Sequence, residues 1–140
     1  MIILDTNVIS ELMRRERDRA VVAWVAARPR AMLYTTSINK AEILYGIAAL
    51  PAGRRRTALT AAVVAMFTED LADRVLPFDD DAADRYADIV AERRRAGRPI
   101  EAFDALIAAS ALAAGAAIAT RDIGGFEGLG VLLFDPWKDQ

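Results

Sequence analysis

Four carboxylates stand where the sequence around them is otherwise apolar. "MIILDTNVIS" runs four apolar residues straight into Asp5, and "ATRD" follows an apolar run with Asp122. "SINKAEILYG" sets Glu42 in a helical stretch where its neighbours three, four and seven positions away are Ile38, Tyr45 and Ala49. "AFDALIAASALAAG" carries Asp104 on a helix apolar around nearly its whole circumference, beside Ile107, Ala108 and Ala111. Each acid has an ordinary reading by itself. Asp5 and Asp122 are acceptable turn or cap residues, Glu42 is long enough to snorkel to water, and Asp104 suits the first turn of a helix.

The set has a different chemistry. An unpaired buried carboxylate costs several kcal/mol, so it must neutralise, find a partner or bind a cation. If the strands ending at Asp5 and Asp122 are neighbours, all four acids reach one rim, where their repulsion raises their pKa values. A divalent ion relieves that repulsion. With no cysteine and no histidine in the chain, thiol nucleophiles, imidazole bases and Cys/His zinc sites are excluded. Oxygen ligands suit hard cations such as Mg²⁺ and Mn²⁺. Thr120 points to the same side of an extended chain as Asp122 and adds a hydroxyl, and Asn7 stands two residues after Asp5; both are candidates to support the ligands.

The elements that must position these acids alternate between strand and helix. "MIIL" reads as a short buried parallel strand. Asn7 is the expected cap of a helix to about Arg14, with more helix around Trp24. "AMLYT" (31–35) is a second strand, followed by a helix from Thr36 or Ser37 to about Ala49 and a long one over about 55–72. "RVLPF" (74–78) is a third strand, placed at a sheet edge because Pro77 cannot donate a ladder hydrogen bond. Asp80 is the expected cap of a helix to about Ala96, the next helix stops at Gly115, and "AAIAT" (116–120) and "VLLF" (131–134) complete the strands. The glycine-rich "GGFEGLG" (124–130) lacks a phosphate-loop spacing and reads as loop. This order predicts an α/β fold in one domain over 1–140, a mostly parallel sheet with helices on both faces.

The composition, 54% hydrophobic and 27% charged, is that of a globular chain. No apolar run approaches the roughly 18–20 residues of a bilayer span, and no basic region precedes "MIIL", so a cytoplasmic protein without membrane contact is expected. A net charge of −2 gives no global pull toward nucleic acid. Arginine nevertheless clusters in "RRERDR" (14–19), "RRR" (54–56) and "RRRAGR" (93–98), while lysine occurs only at Lys40 and Lys138. Solvated helix faces account for such clusters; so does a phosphate partner.

"ILDTNVIS", "AEILYG", "FDALIAASAL" and "ATRDIGGF", in this order and spanning nearly the whole chain, resemble the motifs of PIN-domain ribonucleases, above all the VapC and FitB-like toxins of type II toxin–antitoxin pairs. That resemblance implies a three-layer α/β/α PIN fold with a five-stranded parallel sheet ordered 3-2-1-4-5. It also implies that Asp5, Glu42, Asp104 and Asp122 form the catalytic acids and hold Mg²⁺ or Mn²⁺, with Asp5 and Asp104 as principal ligands. The substrate would be RNA. The partners would be a cognate antitoxin, docking a basic segment at the acids and a helix in a groove near residues 8–25 and 36–68, and a second copy in a homodimer. Arg121, where relatives carry His or another residue, takes no role from the resemblance. Two other classes compete. A haloacid-dehalogenase-like phosphohydrolase also carries an aspartate after its first strand, but needs a second acid two residues on, where this chain has Asn7. A catalytically silent interaction protein would fill its acids with a partner's arginine.

Overall fold

The computed structural model describes residues 1–139. Its elements run β1 (Ile2–Leu4), α1 (Thr6–Leu12), α2 (Arg19–Ala26), a 3₁₀ turn (Arg30–Met32), β2 (Leu33–Thr36), α3 (Ser37–Ala48), α4 (Arg54–Ala65), β3 (Val75–Leu76), α5 (Asp80–Arg95), α6 (Ala102–Ala114), β4 (Ala117–Ala119), α7 (Ile123–Phe126) and β5 (Leu133–Phe134). The five strands form one sheet in the order β3-β2-β1-β4-β5, and every pairing is parallel. This is the expected order. It puts β3 at an edge and β1 beside β4, with Ile3 opposite Ile118.

Both faces of the sheet are covered, which is why its central strands are apolar throughout rather than alternating. Ile2, Leu4, Ala117 and Ala119 pack with Val8, Ile9, Val21, Trp24, Ile43, Ile47 and Val63 from the helices α1 to α4. Ile3 and Ile118, one residue out of phase, pack with Ile89 and with Ala105, Ile107, Ala108 and Ala111 from α5 and α6. The two-residue period of a strand thus divides one apolar run between two cores. No helix among the described residues is long and apolar enough to cross a membrane.

Several boundaries differ from those expected. Asp5, not Asn7, is the N-cap of α1: it keeps an extended backbone and accepts the Thr6 N–H. The helix follows the strand without a turn, so Asn7 lies inside the first helical turn. Asp79, rather than Asp80, caps α5 by accepting the Ala82 N–H. The long fourth helix ends at Ala65 and continues as one π-helical turn, Met66–Asp70. Pro77 falls just beyond the two-residue β3. Part of the glycine-rich stretch is helical: α7 forms because Asp122 accepts the Gly125 N–H as its cap. The sequence does mark the end of α6, where Gly115 takes the left-handed conformation at φ 66°.

Candidate active site

The site lies beyond the carboxyl ends of β1 and β4, where the strand order of an open parallel sheet reverses. The Asp5 N–H donates to Ala119 O at 2.9 Å, carrying the β1–β4 ladder up to the carboxylate itself. Asp5 is 5% exposed, and three hydrogen bonds hold its carboxylate, leaving acceptor capacity on Oδ2. Oδ1 accepts from Thr6 N at 2.8 Å and Asn39 Nδ2 at 2.9 Å, and Oδ2 accepts from the Thr120 hydroxyl at 2.7 Å. Burial pushes the Asp5 carboxyl up, the three hydrogen bonds oppose that rise, and the Asp122 charge adds to it.

Asn39, fully buried, organises this corner. Its amide donates to Asp5 Oδ1 and to Thr6 Oγ1, and its own carbonyl oxygen accepts from Thr36 Oγ1. Thr6 Oγ1 in turn donates to Glu42 Oε1 at 2.9 Å, tying α3 to the start of α1. Glu42 is raised above the ordinary range by burial first and by Asp5 and Glu101 second, against the Thr6 bond. It does not stand on a buried apolar face as its spacing suggested. Tyr45 and Ala49 are exposed and Ile38 half-buried; the buried stripe of α3 is Asn39, Ile43 and Ile47. Glu42 faces Thr6 from the flank of that stripe.

On the other side, Asn7 Nδ2 donates to Thr120 Oγ1 at 3.2 Å and Asn7 Oδ1 accepts from Arg121 N. Thr120 Oγ1 also accepts from Asp122 N. A hydroxyl 115 positions from Asp5 therefore couples both strand ends. Asp122 Oδ1 accepts the Gly125 N–H at 3.2 Å. A Cβ on Gly125 would stand 2.5 Å from Asp122 Oδ2 and 3.3 Å from Asp104 Oδ2, so the two carboxylates occupy space that only glycine leaves open.

Asp104 is half-buried in the first turn of α6, and the neighbours Ile107, Ala108 and Ala111 are fully buried as its helix pattern implied. Among the described residues no donor reaches its carboxylate. Desolvation, followed by the charges of Asp5, Asp122, Glu101 and Glu42, lifts it to about 6. That ordering of causes places Asp5, Glu42, Asp104 and Asp122 in one electrostatic field.

The four do not converge on one point: among the described residues no three acids form a ready metal-ligand cluster. The donor set still fits a hard divalent cation in kind. It is all oxygen, mutually repulsive, and includes one carboxylate, Asp104, that no hydrogen bond among the described residues satisfies. Sequence reasoning brought these four acids, Asn7 and Thr120 to one rim. It missed Thr6, Asn39 and Gly125. Asn39 had left a signal, being a lone amide on the 39/43/47 stripe that α3 buries.

Removing that amide leaves Asp5 Oδ1 and the Thr36 hydroxyl short of a partner inside the fold. Asn39→Ala is expected to lower unfolding free energy by about 2–3 kcal/mol, read from urea denaturation; a loss below about 0.5 kcal/mol would show that water replaces the amide.

A parallel sheet with acids at its central switch point defines the class. The chain belongs to the PIN-domain family, whose model matches residues 2–130. Within that family it is of the VapC and FitB type. VapC ribonuclease Y4jK of Sinorhizobium fredii is 47% identical over 138 residues, with 99% of each chain covered. Toxin FitB of Neisseria gonorrhoeae is 38% identical over 139 residues, covering 99% of this chain and 100% of that one. The crystal structure of FitAcB from Neisseria gonorrhoeae aligns with a TM-score of 0.91 at 38% identity, over 99% of each chain.

Proposed function

We propose that this chain, a single PIN domain, is a cytoplasmic Mg²⁺- or Mn²⁺-dependent ribonuclease. It acts as the toxin of a type II toxin–antitoxin pair and is held silent by a cognate antitoxin. The observation that carries the reading is the grouping of Asp5, Glu42, Asp104 and Asp122 at the switch point of the sheet, where the Asp104 and Asp122 carboxylates crowd one glycine and burial, followed by the neighbouring charges, lifts Asp104 to about 6. Such a group of acids has little use in an apolar fold except around a cation. The likeness to a VapC ribonuclease and a FitB toxin supports RNA as substrate and toxin as role.

The residues divide the work. Asp5, immobilised by three hydrogen bonds, and Asp104, satisfied by none among the described residues, hold the cation as principal ligands. Glu42 and Asp122 complete the acid ring, directly or through water. Thr6 and Asn39 hold Glu42 and Asp5 in place, while Asn7 and Thr120 lock the β1 and β4 ends together. When bound, a divalent cation supplies Lewis acidity, making hydroxide accessible near neutral pH and neutralising charge on the phosphodiester. In hydrolysis, water adds to phosphorus, the bridging P–O bond breaks and a proton passes to the departing oxygen. With no histidine in the chain, the proton acceptors at hand are these carboxylates. Without a cation the same acids repel the RNA backbone, so substrate binding and chemistry share one requirement.

Incubating the partner-free protein with RNA and with a generic phosphate monoester, each with Mg²⁺, Mn²⁺ or a chelator, tests the reading. Cleavage of RNA alone, abolished by chelation, is expected. Turnover of the monoester alone would move the protein to the phosphohydrolase class, whose second acid is replaced here by Asn7.

Gly125→Ala gives a finer check. Its Cβ would displace the Asp122 carboxylate from beside Asp104, so RNA cleavage is expected to fall about tenfold or more with little change in melting temperature. Unaltered cleavage would remove Asp122 from the ring.

A further inference from the structure

Next to the acids is a cavity of about 370 Å³ with opposite charges on its lining: Arg93 and Arg98 together with Glu101, Asp104 and Asp122, over Gly124 and Gly125. Opposite charges this close would ordinarily pair. The ion pairs among the described residues are Arg14–Glu11 and Arg30–Asp70; neither Arg93 nor Arg98 takes part in one.

Arg93 is held instead by neutral carbonyls. Its Nε donates to Arg98 O and its Nη2 to Gly125 O, both at 3.1 Å, while Nη1 is buried with no partner among the described residues. Three segments are thereby fixed to one guanidinium: the end of α5, the turn that carries Arg98, and the α7 turn that Asp122 caps. Among the described residues the positive charge of Arg93 is paired with no carboxylate, and Arg98, exposed, lines the cavity. The arginine cluster 54–56 is placed elsewhere; Arg56 lines a separate groove along α4.

Resting on the ribonuclease reading, we infer that this cavity receives an RNA phosphate flanking the cleaved bond, with Arg98 as the residue that contacts it and Arg93 as the positioning residue behind it. A phosphodiester together with a divalent cation is the complement of a cavity with unpaired guanidinium on one side and unpaired carboxylate on the other. The first supplies negative charge to the arginines and the second positive charge to the acids. Neither ligand alone satisfies both sides. Because a backbone phosphate carries no base identity, this subsite fixes register and leaves sequence choice to other contacts.

The test separates binding from cleavage. With Mg²⁺ present, a fluorescent RNA oligonucleotide made uncleavable by a methylene in place of the bridging oxygen at the mapped cut bond is titrated against the protein with and without Arg98→Ala. The added substitution is expected to weaken binding about tenfold and to lower the slope of log Kd against log salt by about 0.7, the value for one phosphate on a single strand. Arg98→Lys should retain most of that slope. A neutral methylphosphonate at one flanking position should weaken binding to the protein that has Arg98 and leave the Arg98→Ala protein indifferent. Equal affinity and equal slope with and without Arg98, in a wild-type protein that cleaves RNA with Mg²⁺, overturns this inference and leaves the ribonuclease reading standing. A wild-type protein that cleaves no RNA with either cation overturns both.

Discussion

Asp104→Asn is expected to lower metal-dependent RNA cleavage about 1,000-fold or more while the protein remains folded. Loss of a single preorganised electrostatic contact to a transition state costs about 10²–10³ in rate, and a direct cation ligand belongs at or above the top of that range. The fold should tolerate the change, because among the described residues no donor depends on this carboxylate. Asparagine keeps its shape and removes a charge that Asp5, Asp122, Glu101 and Glu42 all oppose. Single-turnover cleavage and thermal unfolding of the same preparation give the two readouts. Full activity in the variant would reject the site; so would a collapse of the fold that accounts for the lost activity.

The second large effect is the dependence of metal-free stability on pH. Asp104 titrates at about 6 in the folded chain against 3.8 for the ordinary group, so between those values the folded protein binds more protons than the unfolded one. Stability then falls as pH rises through that window and levels off above it. Asp5 and Glu42 are shifted in the same direction. Asp104 is partly exposed, and solvent screening reduces its share to about 1 kcal/mol, or about 3 °C in melting temperature. The metal-free protein should melt higher at pH 5 than at pH 7.5. Mg²⁺ or Mn²⁺ at about 100 times Kd should add about 2.7 kcal/mol at pH 7.5 and far less at pH 4.5, where protons occupy the same oxygens. Melting curves independent of pH across 4–7.5, with no response to either cation, would contradict the arrangement of charges. Asp104→Asn should flatten the pH profile and raise the metal-free melting temperature at neutral pH.

The sheet was legible because its cause is local. Four apolar residues before Asp5, the "AAIAT" run before Asp122 and the glycine ending α6 are each readable within a few positions, and Pro77 marked the edge strand even though it lies just past its end. The four acids were legible as contradictions, charges placed where burial was expected. What the sequence did not disclose depends on partners far along the chain. Asn7 looked like a helix cap because nothing local reveals that its amide reaches Thr120, 113 positions away. Spacing alone leaves Glu42 divided between an apolar face and a solvated one, whereas its orientation is set by the Thr6 hydroxyl on another helix. The glycine-rich stretch reads as loop because it has no phosphate-loop spacing and no helical period; the short α7 turn within it rests on the Asp122 carboxylate, which caps it and also faces the other acids. Arg93 was one arginine among three clusters until its carbonyl partners, at positions 98 and 125, fixed it in space.

Asp5 ends β1, caps α1 and faces the acid crevice, whereas Asp104 has only the last of these duties. Inactivation by random substitution is therefore uneven. Loss of Asp5 endangers the polypeptide itself, whereas loss of Asp104 disarms it and leaves its fold whole. A chain under pressure to become harmless, yet to stay folded, has its least disruptive route at the sixth helix rather than at the amino terminus.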